Sequence, residues 1–149
     1  MTSFLLAFQF LTIIPLKIKE ISERRIADAV LYFPLVGLFL GLFLLGINSL
    51  LSYLDFSYLA SNVILVVALI IITGGMHLDG LSDTADAFLS GKSKEEMLNI
   101  MRDSHVGVMG VLSLVSAILL KIALLSSISS SLRVNALVLM CALRRWSIV

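Results

Sequence analysis

Asp79, Asp83 and Asp86 stand in the stretch HLDGLSDTADAF, residues 77–88, directly after the apolar run NVILVVALIIITGGM. Their spacing of i, i+4 and i+7 places them within about 60° of one another on a helix. Three carboxylates on one stripe repel, and beside a membrane segment they are costly to desolvate. A cation on the stripe relieves both effects. Oxygen-only ligands at this spacing suit Mg²⁺ or Mn²⁺, and Mg²⁺ commonly divides its shell between a few carboxylates and substrate phosphates. Asp79, Asp83 and Asp86 are therefore the expected metal ligands. The same pattern also suits a solvated acidic face at a helix start, with Asp79 as its N-cap.

A second polar group follows in MRDSHVGVMG, residues 101–110. Arg102 could contact a phosphate. Asp103 could act as a base or as a further metal ligand. His105 precedes Gly107 and Gly110 at the mouth of the next apolar run. Read without a ligand, the group is an interface anchor with a local ion pair. Arg144 and Arg145 mark either a helix end or cations near membrane depth, where ionisable residues are functional by default. A carboxylate-pinned metal, nearby cations and a carboxylate able to take a proton are the parts of diphosphate chemistry. No P-loop, HExxH or GxSxG pattern is present.

These groups must be positioned by a membrane scaffold. The chain has 149 residues, of which 59% are hydrophobic and 14% charged, with a mean hydropathy of +1.06. Soluble domains are about 45–50% apolar and about 25% charged, so the expected class is an all-α polytopic membrane helix bundle. The net charge of +1 and the lack of a basic tract give no footprint for nucleic acid. The single cysteine, Cys141, rules out a disulfide within the chain and reads as a small core residue.

Residues 4–16 are too short for a span of roughly 20 residues. They lack a basic flank and a small-residue cleavage site, so they read as an interfacial or re-entrant helix stopped by Pro15, with a tilted span as the alternative, rather than a signal peptide. Residues 17–28 form a charged loop or short amphipathic helix. Expected spans cover 29–54, 56–72, 106–125 and 134–149, the last incomplete, with 73–105 as a polar active-site segment. Gly37 and Gly41 form a GxxxG pair expected to pack within the monomer. Ser93 and Glu96 have the form of a capping box opening a short helix, and Gly91 ends the helix before it. Lys17, Lys19, Arg24 and Arg25 precede the first span, while Lys92, Lys94 and Arg102 follow the second. The loop between those spans has neither Lys nor Arg. The acidic segment is therefore expected on the cytosolic side.

The pair TGGMHLDGLSDTADAF and MLNIMRDSHVGVMGVLSL resembles cobalamin synthase, the adenosylcobinamide-GDP ribazoletransferase family. FLLAFQFLTIIPL is similar to that family's N-terminus, YFPLVGLFLG to its first span, and RRW, residues 144–146, to a later arginine–tryptophan element. The resemblance implies a multi-pass enzyme of the cell inner membrane, acting in the last steps of cobalamin biosynthesis. Adenosylcobinamide-GDP and α-ribazole, or its 5′-phosphate, would be its substrates, GMP its by-product and Mg²⁺ its cofactor. Asp79, Asp83 and Asp86 would hold metal and diphosphate, with Asp79, Asp83 and Asp103 catalytic and Arg102, His105 and Arg145 binding substrate. A homo-oligomer is compatible with this reading. The family usually has arginine where this chain has His105. Its members are longer, so the resemblance implies an N-terminal part.

Two other readings compete. Phosphotransferases of the CDP-alcohol type begin their motif as Asp79-Gly80 does, but Asp83-Thr84 stands where Ala-Arg is needed. Ser93 and Met97 then occupy the next Gly and Asp positions. A small cation transporter needs polar residues in mid-span, and the first two spans offer only Asn48 and Asn62, near their ends.

Overall fold

The computed structural model describes residues 2–16 and 22–146. They form eight helices and no strand: α1 (Thr2–Leu11), α2 (Glu23–Val30), α3 (Phe33–Tyr53), α4 (Tyr58–Ile72), α5 (Met76–Phe88), α6 (Lys94–Ile100), α7 (Val108–Ser126) and α8 (Ser130–Trp146). The all-α expectation is met. Lys17 and Lys19, used above to orient the chain, lie outside the described residues. The chain divides into two compact units, residues 1–74 with 125–149, and residues 75–124. The division falls between Gly74 and Gly75, both in the left-handed region at φ +63° and +69°, where a side chain would be strained.

The uncharged stretch 29–54 is not one helix. α2 ends at Val30 and α3 opens at Phe33 with Pro34 in its first turn. Proline lacks an amide hydrogen and collides with the carbonyl four residues back, here that of Val30, so a continuous helix is blocked while a new start is favoured. α3 and α7, with 21 and 19 residues, are long and apolar enough to cross a membrane. At about 1.5 Å per residue, the 15 residues of α4 reach only about 22 Å, short of a hydrocarbon core of roughly 30 Å. The ten-residue α1 is shorter still.

In the first unit, α3 and α8 pack most extensively. Val36, Leu40, Leu44 and Leu137 are almost completely buried there, and Cys141 takes the expected core position. The GxxxG pair explains how closely the helices approach. A Cβ at Gly37 would meet the Cys141 carbonyl and one at Gly41 the Val138 backbone, in both cases below 3.0 Å. Two glycines one turn apart thus let backbone rest on backbone, which is how helices associate where lipid removes the hydrophobic drive. α1 lies on α2 and α3, meeting α3 through Phe8 on Phe39 and a stacked Phe10–Phe33 pair. The Ile13 amide donates to the Ile72 carbonyl at 2.9 Å, tying the chain after α1 to the end of α4.

One polar knot interrupts this apolar unit. Arg133, buried in the first turn of α8, donates through Nε to Asn48 Oδ1 of α3 at 2.7 Å and through a terminal nitrogen to Asn62 Oδ1 of α4 at 2.6 Å. Its guanidinium lies 4.3 Å from the centroid of the Tyr58 ring. Asn62 is fully buried and donates onward to Ser126 Oγ at 2.7 Å, and Tyr58 donates to the Ile128 carbonyl at 2.6 Å. The helix α8 accordingly starts before the apolar run at 134, and it takes Arg133 into the unit.

Two outcomes follow for unfolding in detergent. Replacing Gly41 with Val forces α3 off α8 and lowers stability by about 2–3 kcal/mol. Arg133→Met leaves two amide oxygens without their donor and costs about 1–3 kcal/mol; Arg133→Lys fails to restore it, because one ammonium does not reproduce the planar fork. Unchanged unfolding temperatures would contradict both.

Candidate functional site

The second unit holds most of the chemistry-bearing residues. α5 carries Asp79, Asp83 and Asp86 and ends at Phe88; Gly91, at φ +67°, then turns the chain. α6 opens with the expected capping box. Ser93 Oγ accepts from the Glu96 amide, and the Glu96 carboxylate accepts from the Ser93 hydroxyl at 2.8 Å and the Ser93 amide at 3.1 Å; the hydroxyl bond, then the amide bond, hold the Glu96 carboxyl below its ordinary value. α6 packs on α5. Residues 101–107 then lead into α7.

The stripe is real but its members differ. Gly75, not Asp79, is the N-cap of α5, and Asp79 lies in the first turn, its amide bonded to the Gly75 carbonyl. A carboxylate there is favoured by the helix dipole. Asp79 is exposed and Asp83 half-buried. Asp86 is already engaged: its two oxygens accept from the Gly107 and Gly110 amides, each at 2.7 Å, a length typical of charge-assisted bonds. Next to it Ser82 is buried, and its hydroxyl finds no partner among the described residues. A Cβ on Gly107 would strike the Asp86 carboxylate, and one on Gly110 would strike both Asp86 and Ser82. These glycines are therefore required for space.

The expected three-carboxylate metal set does not assemble. No group of three or more His, Cys, Asp or Glu side chains among the described residues could hold a metal ion, and both Asp86 oxygens are bonded at the start of α7. Asp79 and Asp83, one turn apart, remain. Two carboxylates completed by substrate phosphates are a common setting for Mg²⁺, so the remaining donors fit that cation only as a shared site.

Asp103 and His105 form a local pair. Asp103 Oδ1 accepts from the His105 amide at 3.1 Å and meets the imidazole Nδ1 at hydrogen-bond distance. The imidazole hydrogen bond holds the Asp103 carboxyl below its ordinary value, and Asp103 in turn raises His105 above 6.5. Both are exposed, as is Arg102. The ion pair is thus with His105 rather than Arg102. Arg145, expected to bind substrate, belongs to the first unit. It is buried on α8, donates to the Cys141 carbonyl of its own helix at 3.4 Å, and keeps a buried Nε without a partner among the described residues. Arg133 was not anticipated from the sequence; the signal available was its place directly before the last apolar run, with two asparagines near the ends of other spans.

Helices able to cross a membrane, one of them leading from an acidic helix through a glycine-rich start, define an α-helical integral membrane protein with an acidic polar segment. Within that class the chain belongs to the cobalamin-5-phosphate synthase family, whose profile matches residues 3–149. It is 39% identical over 148 residues to an adenosylcobinamide-GDP ribazoletransferase of Desulforamulus reducens, covering 99% of this chain and 59% of the relative. It is 42% identical over 142 residues to a protein of the same name from a Roseiflexus species, covering 95% and 52%. The corresponding protein of Clostridium novyi is 37% identical over 143 residues, covering 93% and 56%. The chain thus spans little more than half the length of these curated relatives. No solved structure matches. The membership displaces the CDP-alcohol and transporter readings.

The pH dependence of the pair has a defined sign. His105 is raised, so its contribution is complete below about pH 6.5 and fades as pH climbs through the raised value; Asp103 is lowered, so its contribution is complete above about pH 3.8 and fades as pH falls through the lowered value. Asp103→Asn returns the His105 titration toward 6.5, read from the imidazole C–H resonance. An unmoved midpoint would contradict the pairing.

Proposed function

We propose that this chain forms the N-terminal, membrane-embedded part of an adenosylcobinamide-GDP ribazoletransferase of the cell inner membrane. It transfers the adenosylcobinamide-phosphate moiety from adenosylcobinamide-GDP to α-ribazole or its 5′-phosphate, with release of GMP. The observation that carries the reading is the family match across residues 3–149, within which lies an acidic helix with Asp79 and Asp83 left for a ligand. The Lys and Arg distribution supports a cytosolic position for this helix.

A ribose hydroxyl of the acceptor attacks the cobinamide-side phosphorus. One O–P bond forms, the diphosphate P–O bond breaks, and GMP departs with its phosphate. Asp79 and Asp83 would hold Mg²⁺, which when bound neutralises the diphosphate and the leaving phosphate. Arg102 binds phosphate oxygen at the segment entering α7. Asp103 orients the His105 imidazole and raises its proton affinity while its own carboxyl is held low, so His105 rather than Asp103 suits the role of proton acceptor from the attacking hydroxyl. Protonated, His105 pairs with phosphate, as an arginine would.

The test uses membranes carrying this chain, alone and joined to the remaining C-terminal portion of the Desulforamulus reducens relative. Adenosylcobinamide-GDP, α-ribazole and Mg²⁺ are supplied, and GMP and cobalamin are followed. The joined protein turns over, and Asp79→Asn and Asp83→Asn each lower the rate at least about a hundredfold while membrane insertion is unchanged. Full activity in both variants would overturn the assignment.

A further inference from the structure

The Asp86 carboxylate is spent on backbone, and that changes its role. α7 begins at Val108, and its first amide–carbonyl bond runs from Val111 to the Gly107 carbonyl. Gly107 therefore stands at the N-cap position, where Ser, Thr, Asp or Asn would ordinarily satisfy the first amides with a side chain. Glycine has none. The orphaned amides lie at the entrance of a helix apolar enough to cross a membrane, where unsatisfied backbone is most costly. Asp86, 21 residues earlier on another helix, satisfies two of them at once. Its negative charge also opposes the positive end of the α7 dipole. The two glycines admit the carboxylate and the buried Ser82 hydroxyl, both of which a Cβ would displace.

We infer that Asp86 is a positioning residue and not a third metal ligand: its carboxylate is the N-cap of α7 supplied by α5, and it anchors the downstream end of the segment carrying Arg102, Asp103 and His105. The upstream end is fixed separately. The Arg102 and Asp103 amides donate to the Asn99 and Ile100 carbonyls at the end of α6. Only residues 104–106 bridge the two anchors. The segment proposed to face phosphate is thus held at both ends within one unit, and the acidic stripe divides into two ligands and one strut.

The cation arm of the test rests on the reading of Asp79 and Asp83 above; the amide arm does not. In the detergent-solubilised chain, hydrogen exchange over residues 107–110 and binding of Mn²⁺, followed by electron paramagnetic resonance, are compared across variants. Asp86→Asn speeds exchange there about ten- to a hundredfold and leaves Mn²⁺ affinity within about twofold of the parent. Asp79→Asn and Asp83→Asn do the reverse. Gly110→Ala keeps the carboxylate but blocks its seat; it reproduces the faster exchange, and the double variant is no faster than either single one. A loss of Mn²⁺ binding in Asp86→Asn that Gly110→Ala does not share makes Asp86 a ligand and overturns the inference. A loss shared by both variants overturns it as well, since a Cβ at Gly110 displaces the same carboxylate and a strut alone leaves Mn²⁺ affinity unchanged. Where no version binds Mn²⁺, the cation reading fails and exchange decides alone, unchanged rates in Asp86→Asn overturning the inference. Where Asp86→Asn does not fold, Gly110→Ala decides by the same exchange readout.

Discussion

A polar group in an apolar surrounding must be met by a partner, and this constraint organises both units of the chain. Backbone amides at a helix start cannot fall back on water inside lipid. In the second unit the start of α7 is met by Asp86. In the first, the Arg133 guanidinium is met by two asparagine oxygens and an aromatic face. Each solution links helices far apart in sequence, so each is also a statement of topology. The apolar side chains around them set no comparable register, because lipid receives them as readily as a neighbouring helix does.

The two solutions differ in their chemistry. Asp86 is charged and its partners are main-chain donors, which gives short, directional bonds that depend on the absence of two Cβ atoms. Arg133 is charged and its acceptors Asn48 and Asn62 are neutral, with one buried terminal nitrogen that has no hydrogen-bond partner among the described residues. Asn62 extends that knot to Ser126, so α3, α4, α8 and the end of α7 share one set of hydrogen bonds. Close approach through Gly37 and Gly41 brings α3 and α8 near enough for Arg133 to reach Asn48. Small residues and the buried Arg133 guanidinium therefore act together.

For function, the consequence is a division of labour along α5. Asp79, near the positive end of the helix dipole, and Asp83 are the carboxylates proposed to meet a cation, whereas both oxygens of Asp86 are taken by backbone amides. The Asp103–His105 pair adds an imidazole whose proton affinity is raised by its carboxylate partner, on a segment anchored by α6 and by Asp86. A family that handles a diphosphate-bridged donor needs such a mixture: a cation to hold charge, and a base or cation to meet the hydroxyl or phosphate.

Local signals were legible in the sequence because their physics is local. The capping box of Ser93 and Glu96, the turn at Gly91, the one-stripe geometry of the three aspartates and the membrane class all follow from spacing and composition. Pro34 also carried a local signal, since its ring excludes the helix that an uncharged run otherwise suggests. The partners of the polar groups were not legible. Nothing in the spacing i, i+4, i+7 says that the third carboxylate will leave the stripe to cap a helix 21 residues on, nor that Arg133 will find asparagines 71 and 85 residues away. Residue types and periodicity fix which groups share a face; only the folded chain decides which amide, amide oxygen or ring is within 3 Å or so of each, and that distance turned one expected ligand into a strut.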